Sequence, residues 1–323
     1  MHFPRRRFLK TLAAAAAFPS AWFASSAAAP LPGEILDTHQ HLWDLNKLQL
    51  AWLSRAPEVL RKSYGLKEYA EATRGLPVRA LYMEVDVAEA DLDAEAAEAR
   101  RICQEGNSQT LAAIVGGRPA SEKFEDYLQR HGEGGVIKGV RQVLHSPDRP
   151  RGFCLEEPFI RGIRVLGKRG LTFDLCIRVG ELGDAAHLAA QCPDTQFILD
   201  HCGNVDSKAF MKAPPKAPAH DAADWQRAME RMAKLPNVAC KISGVIESLP
   251  DGWTPEHIAP AVNHCLDVFG PDRVVFGANW PVCLIAGSLR SWVEALSEVV
   301  AHRPEADRAK LWASNAKRLY RVG

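Results

Sequence analysis

No apolar stretch in this 323-residue chain reaches the roughly 20 residues that a membrane-spanning helix needs. The nearest approach is the Ala-rich run near the N-terminus, which Pro19 interrupts. Charge of one sign is not in excess either. The 40 Lys and Arg face 39 Asp and Glu, with no basic stripe, which argues against a nucleic-acid partner. No G-x-G-x-x-G follows the first strand-like run, so a dinucleotide fingerprint is missing. No G-x-S-x-G elbow occurs, which removes the usual serine-esterase arrangement. No internal repeat stands out beyond a strand–helix rhythm, and no low-complexity segment follows the N-terminal run. Charged residues make up 24 % and apolar residues 47 %, values that exclude disorder and supply a large core.

The N-terminus is organised differently. "RRRFLKTLAAAAAFPSAWFASSAAAP" places a basic cluster before an Ala-rich apolar run and a series of small residues. That is the layout of an export signal. Arg5, Arg6, Phe8, Leu9 and Lys10 reproduce the twin-arginine pattern, with cleavage expected among Ala27, Ala28 and Ala29. The expectation is therefore a signal over 1–29 that engages the twin-arginine machinery, and one domain over 30–323. The mature protein would be periplasmic or secreted, with no stable membrane insertion. The eight cysteines do not resemble a disulfide framework. Cys176, Cys202 and Cys240 lie in apolar runs, where a thiol behaves as a small hydrophobe. Reduced, buried thiols are expected.

Beyond the signal, short β-branched runs alternate with longer stretches of helical period. The runs are ILDTHQHLW (35–43), VRALYMEVD (78–86), LAAIVGGR (111–118), IKGVRQVL (137–144), LTFDLCI (171–177), QFILDHCG (196–203), VACKISG (238–244) and RVVFGANWP (273–281). Eight strand–helix units in one domain predict a (β/α)8 TIM-like barrel, with an open doubly wound sheet as the rival. Two strand-to-helix connections are long, 44–70 and 204–224. Both fall on the face where such barrels carry their sites.

Polar residues gather at the ends of these apolar runs: His39 and His41, Glu84, Arg141, Asp174, His201 and Asn279. Strand alternation puts His39 and His41 on one face, and His201 can converge on them from the far side of the ring. Neighbouring imidazoles share a cation or shuttle protons, whereas a single buried His satisfied by a carbonyl is commonplace. Cys202 should point away from His201, because adjacent strand residues face opposite sides.

"DTHQHLWD", "LQLAWL…VLRKSYGLKEY", "LDHCGN", "CKISGV" and "RVVFGANWPVC" together resemble the amidohydrolase superfamily. The likeness is to its amidohydrolase-related branch of sugar-acid and 2-pyrone-4,6-dicarboxylate lactonases, and it runs over nearly the whole mature chain. The resemblance implies a distorted amidohydrolase-type barrel with its site at the strand C-termini. It carries over to His39, His41 and His201 as the centre of the site, around a divalent metal such as zinc or none. Asn279 stands where the family pattern has Asp.

That departure matters, because an amide neither takes a proton from water nor binds a cation well. Three readings stay open. Another base, among Glu84, Asp174 and His201, takes over. Alternatively, imidazoles and Glu84 hold a cation while Asn279 orients water or substrate. In the third, hydrolysis is lost and binding kept. Arg141 suits an oxyanion or a substrate carboxylate, Asp174 is a further substrate-binding candidate, and Trp43 and Trp280 suit stacking on a sugar ring. The expected function is hydrolysis of a small-molecule cyclic ester, a sugar-derived lactone foremost. The rivals are a metal-dependent decarboxylase of an unsaturated or aromatic acid, and a non-catalytic sugar-acid binding protein.

Overall fold

The computed structural model describes residues 29–323 except 107, 133, 134 and 148. The basic cluster and the Ala-rich run of residues 1–28 lie outside the described residues. Eight strands follow one another: β1 Ile35–Gln40, β2 Val78–Met83, β3 Thr110–Gly116, β4 Ile137–Val143, β5 Thr172–Cys176, β6 Phe197–Leu199, β7 Val238–Ile242 and β8 Val274–Phe276. All pairings are parallel and in sequential order. A bridge between Gln40 and Trp280, with His41 N–H donating to the Trp280 carbonyl at 2.7 Å, brings the last strand against the first. The result is a (β/α)8 barrel.

The strands read as continuous apolar runs because both faces are covered. Outward residues such as Ile35, Ala80, Val140 and Phe173 pack under the helices in the large outer core. Inward residues Leu36, Leu81, Met83, Ile114, Ile198, Ala239 and Val275 form a smaller core in the lower barrel. The C-terminal helix Asn315–Tyr320 closes its bottom with Ala316, Leu319 and Tyr320. One layer higher, the inward positions turn polar: Arg141, Asp174, Asp200 and Lys241, all buried. The apolar floor thus carries a charged storey, and the site rests on that storey.

The two long connections are built against the same upper face. Segment 44–70 holds the short helix that starts at Leu66, and Trp43 and Tyr64 form an antiparallel bridge across its base. In 204–224, the Asp206 carboxylate accepts from Ala219 N at 2.9 Å and Lys208 N at 3.1 Å, which folds the Pro- and Lys-rich stretch back on itself. All eight cysteines are free thiols and seven are buried. Cys202, Cys240 and Cys265 cluster in the outer core; the left-handed backbone at His201 and Cys202, rather than strand alternation, sets the two side chains apart.

Candidate active site

Above the charged layer a cavity of about 400 Å³ opens at the C-terminal ends of the strands. That volume suits one small ring-shaped ligand. His41, Asp86, Arg141, His145, His201, Glu247 and Asn279 supply its polar wall, and Trp52, Val85, Val143, Val205 and Val282 its apolar wall.

Backbone geometry aims several of these side chains. Asp86, His201, Asn204 and Asn279 all line the cavity with positive φ between 52° and 56°. Non-glycine residues seldom occupy this left-handed region, and Asp, Asn and His tolerate it best. After β6 the whole stretch His201–Asn204 is left-handed, so the chain leaves the strand abruptly and turns the imidazole inward. Gly244 lets it fit. Its own φ is +63°, and a Cβ there would come within 2.5 Å of the His201 Cβ. Gly277 does the same for His39, whose Cβ would lie 2.9 Å from an added methyl.

The histidines of β1 are fixed from behind. Asp37 accepts from the backbone N–H groups of His39 at 2.9 Å and Ala278 at 2.7 Å, and from the Tyr69 hydroxyl at 2.8 Å. It thereby ties the end of β1 to the end of β8. A register shift between Asp37 and Gln40 still leaves the His39 and His41 rings 4.7 Å apart, and His201 lies 4.4 Å from His39. The three rings converge. They differ in depth, however: His41 and His201 reach the cavity, while His39 lies beneath it, fully buried. Burial pushes all three below the ordinary histidine range, His201 to about 3. Neutral imidazoles therefore face the cavity near neutral pH.

Under them runs a network of buried charges. Arg141 Nε donates to Glu84 Oε1 at 2.5 Å and Nη2 to the Glu84 carbonyl at 2.9 Å. Its Nη1 lies 3.2 Å from His39 Nε2 and 3.3 Å from Asp200 Oδ2. Lys241 Nζ reaches Asp174 Oδ2 at 2.7 Å, Asp200 Oδ1 at 3.0 Å and His39 Nδ1 at 3.1 Å. Tyr320 donates to Asp174 Oδ2 at 2.6 Å from below. Burial alone would raise the Asp200 carboxyl, but Lys241 and His39 outweigh it and hold it well below the usual carboxylate range.

These contacts place the residues expected from the sequence. Arg141, His41, His201 and Asn279 meet at the cavity. Glu84 and Asp174 do not line it: each is tied to a cation, which leaves neither carboxylate available as a base. Trp43 and Trp280 also stay off the cavity. They pack edge-to-face against Tyr64 at 5.4 and 5.2 Å, and Trp52 is the tryptophan that the cavity meets. Three ionisable cavity residues are additional to the expected set: His145 and Glu247, which lie beyond the strand-like runs, and Asp86, the last residue of VRALYMEVD. Glu247 sits in the loop after β7 and accepts from Asn279 Nδ2 at 2.7 Å through Oε1. Burial raises its carboxyl above the ordinary range despite that bond. One sign was available in the sequence: an amide at the end of β8 needs a partner, and Glu247 is the lone acid in "SGVIESLP".

A barrel whose strand ends hold neutral imidazoles over a locked guanidinium belongs to the class of barrel enzymes that keep their chemistry at that face. The family model for amidohydrolases matches residues 36–322, and the chain belongs to that family. An uncharacterized protein of Sinorhizobium fredii is 29 % identical over 89 % of this chain and 98 % of its own length. An L-fucono-1,5-lactonase of Burkholderia multivorans is 28 % identical over 88 % and 95 %. Crystal structures of a Burkholderia multivorans amidohydrolase, one with bound HEPES and one with bound zinc, align with TM-scores of 0.78 and 0.77. Their identities are 24 % and 23 %, over 90 % of this chain and 100 % of that one.

His39, Asp200 and His201 bring one donor atom each within 4.8 Å of one another, a spacing that superficially suits a metal. Yet both His39 nitrogens and both Asp200 oxygens already face Arg141 or Lys241 at 3.0–3.3 Å. A divalent ion would sit beside two fixed positive charges in a buried setting, where like charges repel strongly. The residues do not fit it. Activity is therefore expected to survive dialysis against a chelator within about twofold, measured with and without added zinc; restoration by zinc of a lost activity would contradict this.

Proposed function

We propose that the protein hydrolyses a sugar-derived lactone at this cavity. The observation that carries the proposal is a guanidinium fixed by Glu84, Asp200 and His39 at the wall of a cavity sized for one sugar ring, beside imidazoles that stay neutral. Family membership and relatives named as lactonases support the same reading.

In this reading the lactone carbonyl oxygen faces Arg141, which is preorganised for the negative charge that develops as water attacks. The new C–O bond forms to water, and the ring C–O bond breaks. One water proton passes to the departing ring oxygen, and the product acid loses another to solvent. His41 and His201, neutral acceptors or donors at the cavity wall, orient the ring hydroxyls and the carbonyl. Trp52 and the valines cover the apolar face of the ring.

Net acid release makes the test direct. A pH-indicator screen of five- and six-membered aldonolactones is expected to show turnover of at least one. Silence across both ring sizes, together with CO2 release from an aromatic acid, would replace the lactonase reading with a decarboxylase.

A further inference from the structure

We infer that Glu247, held by Asn279, is the general base that takes the proton from the attacking water, a role that rests on the lactonase reading above. The chain has no carboxylate at the end of β8, where its family pattern places one. It presents one instead from the loop after β7, at hydrogen-bond distance from the amide that stands in the vacated position.

The acids of the charged network beneath the cavity are occupied. Glu84 spends Oε1 on Arg141 and Oε2 on the backbone N–H of Asp86. Asp174 and Asp200 serve Lys241 and Arg141. None of the three lines the cavity. Among the described residues two carboxyls do, Asp86 and Glu247. Their positions separate them. Asp86 follows β2, and its backbone is bound to the same Glu84 that clamps Arg141, so it stands on the guanidinium's side. Glu247 and Asn279 belong to the β7–β8 side, and β8 lies half a turn of the sheet from β4 and its Arg141. The oxyanion must point toward the cation, and the water must approach from elsewhere. Glu247 is the carboxyl placed for the second task.

Its support is local. Asn279 Nδ2 donates to Oε1, and the backbone N–H of Ile246 donates to Oε2 at 3.1 Å. The charged or titratable neighbours are the thiols of Cys202 and Cys283, with no cation paired to it by a described contact. A half-buried carboxylate without a salt bridge is a stronger proton acceptor than the ion-paired acids below it. The step balances: water gives its proton to Glu247 as the C–O bond forms, and Glu247 hands it on to the ring oxygen as the lactone opens.

The test uses the full chain and the aldonolactone that the unsubstituted enzyme turns over fastest. Glu247→Gln keeps the Asn279 contact and removes the basicity. It is expected to lower kcat at least a hundredfold with KM within threefold, the range typical of general-base loss. Glu247→Asp keeps the charge but withdraws it by one methylene. It is expected to fall between the two, at least tenfold below the parent, and it decides the matter alone if the Gln variant does not fold. A Gln variant that retains more than a hundredth of parental kcat, or an Asp variant within tenfold of the parent, overturns the assignment. Loss in Asp86→Asn with Glu247→Gln unaffected would move the base to Asp86. If the unsubstituted protein opens no lactone, the lactonase reading fails and takes this base with it, an outcome distinct from a working enzyme indifferent to Glu247.

Discussion

Arg141→Lys is expected to lower kcat by about 10²–10³, equivalent to about 2.7–4 kcal/mol of transition-state stabilisation, as loss of one preorganised oxyanion donor does elsewhere. The substitution keeps the positive charge, so it tests geometry rather than charge. Arg141 uses its planar fork in three directions: to the Glu84 carboxylate, to the Glu84 carbonyl, and to His39 with Asp200. An ammonium on a flexible stem cannot reproduce that set. It would settle on Glu84 or Asp200 and withdraw from the cavity wall. KM should move less than kcat, because the fork matters most when the carbonyl oxygen becomes negative. Steady-state kinetics on the preferred lactone, with far-ultraviolet circular dichroism to confirm folding, read the outcome. A kcat within fivefold of the parent would remove the guanidinium from the reaction and leave it a purely structural role.

The sequence makes the barrel legible and the site only partly so, for physical reasons. A parallel strand covered on both faces is written as an unbroken β-branched run, and all eight runs became strands. The runs extend beyond the strands at their C-terminal ends. QFILDHCG yields a strand only over Phe197–Leu199, and RVVFGANWP only over Val274–Phe276. In both cases the run continues in composition while the backbone turns left-handed, at His201 and at Asn279. Those overruns supply residues that line the cavity. His41, Arg141, His201 and Asn279 could be picked out because a polar residue is conspicuous in an apolar run. His145 and Glu247 could not, because a polar residue in a loop is unremarkable until the loop is folded over a cavity; Asp86, the last residue of VRALYMEVD, met the same criterion as the others. The charged layer was hidden for another reason. Lys241 meets Asp174, Asp200 and His39 across 67, 41 and 202 positions of chain, and only barrel closure joins them. Periodicity says which way a residue points, and says nothing about which strand it meets.

That charged layer gives the largest expected effect on stability. Lys241→Met is expected to cost about 3–5 kcal/mol at pH 8, because removing one partner leaves buried carboxylates without their counter-charge. Lys241, Asp174 and Asp200 are wholly enclosed, so water cannot replace the missing ammonium. Asp200 would keep Arg141 and Asp174 would keep the Tyr320 hydroxyl, which makes Asp174 the residue left worse off. Burial already favours its protonated form. Without Lys241, its folded-state pKa would rise further above the unfolded value. The folded state then holds the proton more tightly than the unfolded one, so stability falls as pH rises through that interval and is recovered as pH drops. The penalty should therefore be smaller at pH 5 than at pH 8. Adding Asp174→Asn should restore part of it at pH 8 and little at pH 5, because the amide stands in for the protonated acid. Urea unfolding of the parent, the single variant and the double variant at both pH values measures these differences. A loss below about 1 kcal/mol at pH 8 would mean that the ion pairs contribute only what exposed ones do. The layer would then be scenery beneath the cavity rather than the support that holds Asp200 and, through it, the Arg141 guanidinium in place.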